Sequence, residues 1–142
     1  MEIRSLYDFA KQQNIEVFDF SLPQTGSMSV MEEDGSCAIA IDASVKDHGV
    51  QERVHLGREI GHCVTGSFYN RYAAVDCRQR HENRANKWAV QALIPVDDLD
   101  QAIADGCTEV WELADRFGLT EDFVRKAVCF YVHGNMAEEL YF

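Results

Sequence analysis

Five consecutive residues, Arg58-Glu59-Ile60-Gly61-His62, come nearest in this 142-residue chain to a pattern that does chemistry. Two histidines four positions apart on a helix lie one turn apart and can share a zinc ion, while a glutamate beside the first activates the metal-bound water. Here the glutamate and the second histidine stand at the required spacing, and arginine occupies the place of the first histidine. Alone, a glutamate three residues before a histidine matches many ordinary helices. Glu82 strengthens it. This residue lies twenty positions beyond His62, near the start of a second predicted helix, on a stripe with Ala85, Ala89 and Ala92. The stripe aims its carboxylate at the apolar interior, where it needs a metal or a cation. A carboxylate at a helix start can equally cap that helix or pair with a nearby arginine.

Three blocks carry a resemblance to a known family: Glu52 through His62, His81 through Ala89 (His-Glu-Asn-Arg-Ala-Asn-Lys-Trp-Ala), and Leu93-Ile94-Pro95. From Arg53 to about Pro95 the chain resembles the ImmA/IrrE metallopeptidases of prophages, mobile elements and stress-response systems, and more loosely so through its C-terminal helices. The resemblance implies an α+β zincin-like fold, with a small three-stranded sheet packed on an active-site helix and further helices after it. It implies zinc held by two histidines and a downstream glutamate, and cleavage of a repressor or similar regulatory protein. Carried over by position, His62 and Glu82 match metal ligands and Glu59 matches the general base. Arg58 does not match the first ligand.

That departure changes the chemistry. A guanidinium is permanently cationic and offers no lone pair, so the site loses a donor and gains positive charge where a dication would sit. Two protein ligands make a weak zinc site. Arg58 could instead replace the ion, bridging Glu82 and Glu59 through its planar fork. A recruited ligand is the other route, with Cys63, Cys77, His55 and His81 as substitutes or supporting residues. His55 lies seven residues before His62, about 10 Å along a helix, too far for one ion. His81 points about 100° away from Glu82 around its helix, which suits a surface or supporting histidine. Cys63 follows Glu59 by four residues and reads as a packed thiol that could face the cleft. His48 and His133 join no cluster.

These residues need elements to position them. Ile3, Leu6, Tyr7 and Ala10 predict a helix over 2–13, which Asn14 could end. Strand-like runs follow at 15–20, 27–32 and 37–42, the last two joined by Glu33-Asp34-Gly35-Ser36 with hairpin chemistry, and together they predict a meander. A helix over 47–65 stops at Gly66, 66–77 reads as a loop, and a second long helix over 78–93 ends before Pro95. Three short helices over 97–104, 108–117 and 120–132 follow, with Thr108 and Thr120 as N-caps. One domain spans 1–137. Residues 138–142 resemble a protease-tag remnant and are set apart from the fold.

Composition narrows the partners. Hydrophobic residues make up 46% of the chain, enough for one core. The net charge of −11 divides as −6 over residues 1–45, +3 over 46–95 and −8 over 96–142. Such a surface repels nucleic-acid phosphate and anionic lipid. Residues 110–128 have a helix-turn-helix cadence, but the would-be reading helix begins with Glu121 and Asp122, so core-completing helices are the better reading. No run approaches the roughly 18 apolar residues of a membrane span. Cys37, Cys63, Cys77, Cys107 and Cys129 form no Cys-x-x-Cys pair and read as reduced, core-packing thiols, placing the chain in the cytoplasm. Two functions follow as expectations. One is a zinc endopeptidase acting on a repressor; the other is a metal-free zincin that binds a protein partner without cutting it.

Overall fold

The computed structural model describes residues 1–47, 49–66 and 75–133, the side chains of 75–79 and 133 excepted. Within them the chain is a mixed α+β protein. Helix α1 (Ile3–Gln12) leads to strands β1 (Glu16–Asp19), β2 (Ser27–Met31) and β3 (Cys37–Ile41) and a 3-10 turn at Ala43–Val45. Helices α2 (Val50–Thr65), α3 (Val75–Leu93), α4 (Val96–Ala104), α5 (Val110–Phe117) and α6 (Glu121–His133) complete it. No helix among the described residues is long and apolar enough to cross a membrane.

The sheet is not a meander. Its order is β1-β3-β2, with β1 parallel to β3 and β2 antiparallel to it. The β2–β3 hairpin turns where expected: Gly35 adopts φ 88° and Glu32 N–H donates to Ser36 O at 2.7 Å. Burial decides the rest. Ala38, Ile39, Ala40 and Ile41 of β3 are all buried, so β3 takes the centre, which leaves β1 and β2 as edges.

Ile39 and Ile41 face the helices and meet Leu56 and Ile60 of α2, with Val90, Leu93 and Ile94 behind them. Helix α2 is fastened at its start. The Tyr7 hydroxyl of α1 donates to the buried Glu52 carboxylate at 2.5 Å, and Arg53 reaches Gly118 O at 2.8 Å in the turn between α5 and α6.

Helix α3 crosses α2 at unusually close range because α2 presents glycine there. A Cβ on Gly61 would lie 2.4 Å from Ala85 O, and one on Gly57 would lie 2.9 Å from Leu93 Cδ1. The predicted Ala85 and Ala89 stripe is fully buried against this seam. It brings Glu82 beside the site helix.

Boundaries shift where caps compete. Helix α2 begins at Val50 because the Asp47 carboxylate accepts from the N–H groups of Gly49, Gln51 and Glu52, outside the helix. Residues 75–77, expected as loop, begin α3, since no glycine or proline interrupts them. Thr108 does not cap α5. Glu109 does, its N–H bonded to Glu112 Oε1 at 3.1 Å, whereas Thr120 Oγ1 accepts from Phe123 N at 3.2 Å as expected of a cap. Leu113, Leu119, Phe123, Val124 and Ala127 are buried, so α5 and α6 complete the core.

Candidate functional site

Helices α2 and α3 bring Arg58, His62 and Glu82 into one cluster. Arg58 Nη2 lies 3.3 Å from Glu82 Oε2, and His62 Nε2 lies 3.3 Å from Glu82 Oε1. One carboxylate is thus shared between a guanidinium and an imidazole. The His62 side chain is 7% exposed, those of Arg58 and Glu82 32% and 24%, so the cluster is a shallow one with its histidine at the bottom.

Glu59 does not join it. Its carboxylate is buried and faces β2, where Ser27 Oγ donates to Oε2 at 2.8 Å. Adjacent helical residues diverge by about 100°, so a guanidinium aimed at α3 leaves the next side chain aimed at the sheet. The expected bridge from Arg58 therefore reaches Glu82 and stops there.

Ser27 also lies 2.7 Å from His55 Nδ1. Its single proton is directed at Glu59, so the oxygen is left to accept, which assigns a proton to His55 Nδ1. Burial, seconded by the charge of Arg58, pushes the His55 pKa below its ordinary value and keeps the ring neutral. His55 is neither a metal ligand nor a substitute for position 58; together with Ser27 it holds Glu59.

His81 turns away, its Nδ1 3.1 Å from Arg84 Nη2. Desolvation and the arginine charge lower its pKa. Cys77 lies on α3, and its side chain is outside the described residues.

Cys63 corrects the reading of all cysteines as reduced thiols. It is joined to Cys37, the first residue of β3, in a disulfide with a Cα–Cα distance of 5.8 Å. Cys107 and Cys129 are free. No spacing signals this pair, because 26 residues separate the two and only the packing of α2 on β3 brings them together.

The donor set can be tested against the zinc that the resemblance implies. Tetrahedral zinc with bonds of 2.0–2.2 Å places neighbouring donors about 3.3–3.6 Å apart. The His62 to Glu82 separation of 3.3 Å matches one edge of that figure. The third corner fails, since Arg58 brings charge without a lone pair. Among the described residues no three His, Cys, Asp or Glu side chains gather to hold a metal ion. The described residues do not complete a zinc site.

No protein-family model matches the chain and no curated protein matches it, so the chemistry rests on these side chains. Sequence reasoning missed Ser27 and Gly57. The alternation of β2 puts Ser27 and Ser29 on one face, and Gly57 and Gly61 stand one turn apart, which are the signals each carried.

Proposed function

We propose that this chain is a metal-free zincin of ImmA/IrrE type in which Arg58 stands in for the ion, and that it binds a regulatory protein without cutting it. One observation carries the reading: Glu82 is held by Arg58 and His62 at 3.3 Å each, one cation and one ring on one carboxylate. In a zinc site a dication would draw the carboxylate and the imidazole together. Here the guanidinium supplies positive charge to the carboxylate directly, and no water is activated. A repressor-type protein is the partner that the family resemblance implies.

The test is elemental analysis of this chain and of Arg58→His after equal exposure to zinc. The variant adds the missing donor one turn before His62 and should retain about one zinc per chain, the parent far less. Zinc bound equally by both would overturn the proposal. With a repressor partner, intact mass should stay unchanged while a complex forms; cleavage fragments would likewise overturn it.

A second reading is favoured by the care with which Glu59 is held by Ser27. In it the chain is a zinc endopeptidase whose third ligand comes from a side chain beyond those described, with Cys77 the candidate. Glu59→Gln would then abolish cleavage and leave metal content intact.

A further inference from the structure

Two side-chain links fasten α2 to the sheet. The hydrogen bond from Ser27 to Glu59 sits at one end of the β2–β3 ladder, where Ser27 faces Ile41; the Cys37–Cys63 bond sits at the other, where Cys37 faces Met31. Cys63 follows His62 directly and lies one turn beyond Glu59, so the bond grips the stretch of α2 that carries both. Neither cysteine is buried, in contrast to Ile39 and Ile60 beside them, which are fully enclosed. A small thiol can therefore reach the sulfurs.

We propose that Cys37–Cys63 is a site of reversible thiol–disulfide exchange with low-molecular-weight disulfides of the glutathione class, and that its state sets how firmly the C-terminal half of α2 is held on the sheet. In closing, one cysteine thiolate attacks a sulfur of glutathione disulfide. That S–S bond breaks, one glutathione leaves as thiolate and takes a proton, and a mixed disulfide forms. The second cysteine attacks the protein sulfur of the mixed disulfide and releases the second glutathione. Two protein thiols thereby lose two electrons and two protons, and glutathione disulfide becomes two thiols. Opening is the reverse, driven by two glutathione thiols.

With the bond open, Ser27–Glu59 remains as the side-chain tether at one end only, and the segment carrying His62 and Cys63 gains freedom while the buried faces of Leu56 and Ile60 still hold the helix in place. A protein whose partner reads the Arg58, His62 and Glu82 cluster would then read it in two settings. The exchange itself does not depend on that partner or on any metal.

The experiment uses the full chain equilibrated in glutathione buffers from reducing to oxidising, then trapped by alkylation and read by peptide mass. Cys37 and Cys63 should disappear together from the alkylated pool in one two-electron step, with Cys107 and Cys129 alkylated throughout. Hydrogen exchange of residues 56–65 should run about tenfold faster in the reduced form, with the buried part of α6 unchanged. Cys37→Ser and Cys63→Ser should each hold the faster rate at every poise. If either variant fails to fold, the titration of the unaltered chain still decides. A bond that stays closed across the glutathione range, thiols that stay open across it, or equal exchange in both forms would overturn the proposal. No metal or partner enters the assay, so its failure leaves the functional reading standing, and the reverse.

Discussion

Arg58 and Glu82 come from different helices, 24 residues apart in sequence, and meet at 3.3 Å only because Gly61 lets α3 lie against α2. The ion pair is therefore a reporter of helix packing as well as of chemistry. Its Nε–H is buried with no acceptor among the described residues, and the side chains of both partners keep about a quarter to a third of their surface in water. A double-mutant cycle with Arg58→Ala and Glu82→Gln, read by urea unfolding, should give a coupling of about 0.5–1 kcal/mol, as for a part-exposed pair. A coupling of several kcal/mol would mean that the pair closes far more tightly than these exposures allow.

The seam beneath that pair predicts an order of damage. Gly61→Ala drives a methyl into the backbone of Ala85, which cannot move without shifting α3, whereas Gly57→Ala meets the end of the Leu93 side chain, which can turn aside. Alanine gains up to about 1 kcal/mol of helix propensity at either site. Overpacking should still leave Gly61→Ala destabilised by about 2–3 kcal/mol, and Gly57→Ala by less than about 1 kcal/mol. Urea midpoints for the two variants check this, and Gly61→Ala should also weaken any coupling between positions 58 and 82.

The sequence displayed part of this plainly. Helix periodicity located all six helices within a few residues, and the charge argument at Arg58 anticipated its pairing with Glu82 before any coordinate was known. The sheet order was hidden because a hairpin signal speaks only for neighbours in the chain. That β1 lies parallel beside β3 follows from the two-sided burial of Ala38 to Ile41, a tertiary property. The Ser27, His55 and Glu59 contacts were hidden for the same reason, being a meeting of strand and helix across 28 and 32 residues.

That same meeting makes stability depend on pH. His55 has a pKa lowered below its usual 6.5, chiefly by burial, so the unfolded chain binds a proton there that the folded chain does not. Stability from this group is complete above about pH 6.5 and is lost as pH falls below it toward the folded value. His55→Asn keeps an N–H near Ser27 and should flatten that fall, measured as the difference in urea midpoint between about pH 5.5 and 7.5. An unchanged slope would place the proton elsewhere. Ser27→Ala, which leaves the buried Glu59 carboxylate without its donor, should cost about 1–3 kcal/mol at neutral pH.

The disulfide makes a separate demand on the unfolded state. Cys37 and Cys63 enclose a separation of 26 residues, and loop closure over that length predicts about 3.5 kcal/mol of stabilisation at 25 °C. Nearly all of this acts by restricting the unfolded chain, so reduction should lower the urea midpoint while the helix content of the folded protein stays as it was. Reduction should also raise the denaturant slope, because an uncrosslinked chain exposes more surface when it unfolds. Cys37→Ala should match the reduced protein in both respects, since the partly buried Cys37 side chain fills little of the core. A drop in stability without a rise in slope would locate the effect in the folded state, in strain released at α2. Folded-state circular dichroism and the slope, taken together on oxidised, reduced and Cys37→Ala protein, separate the two cases.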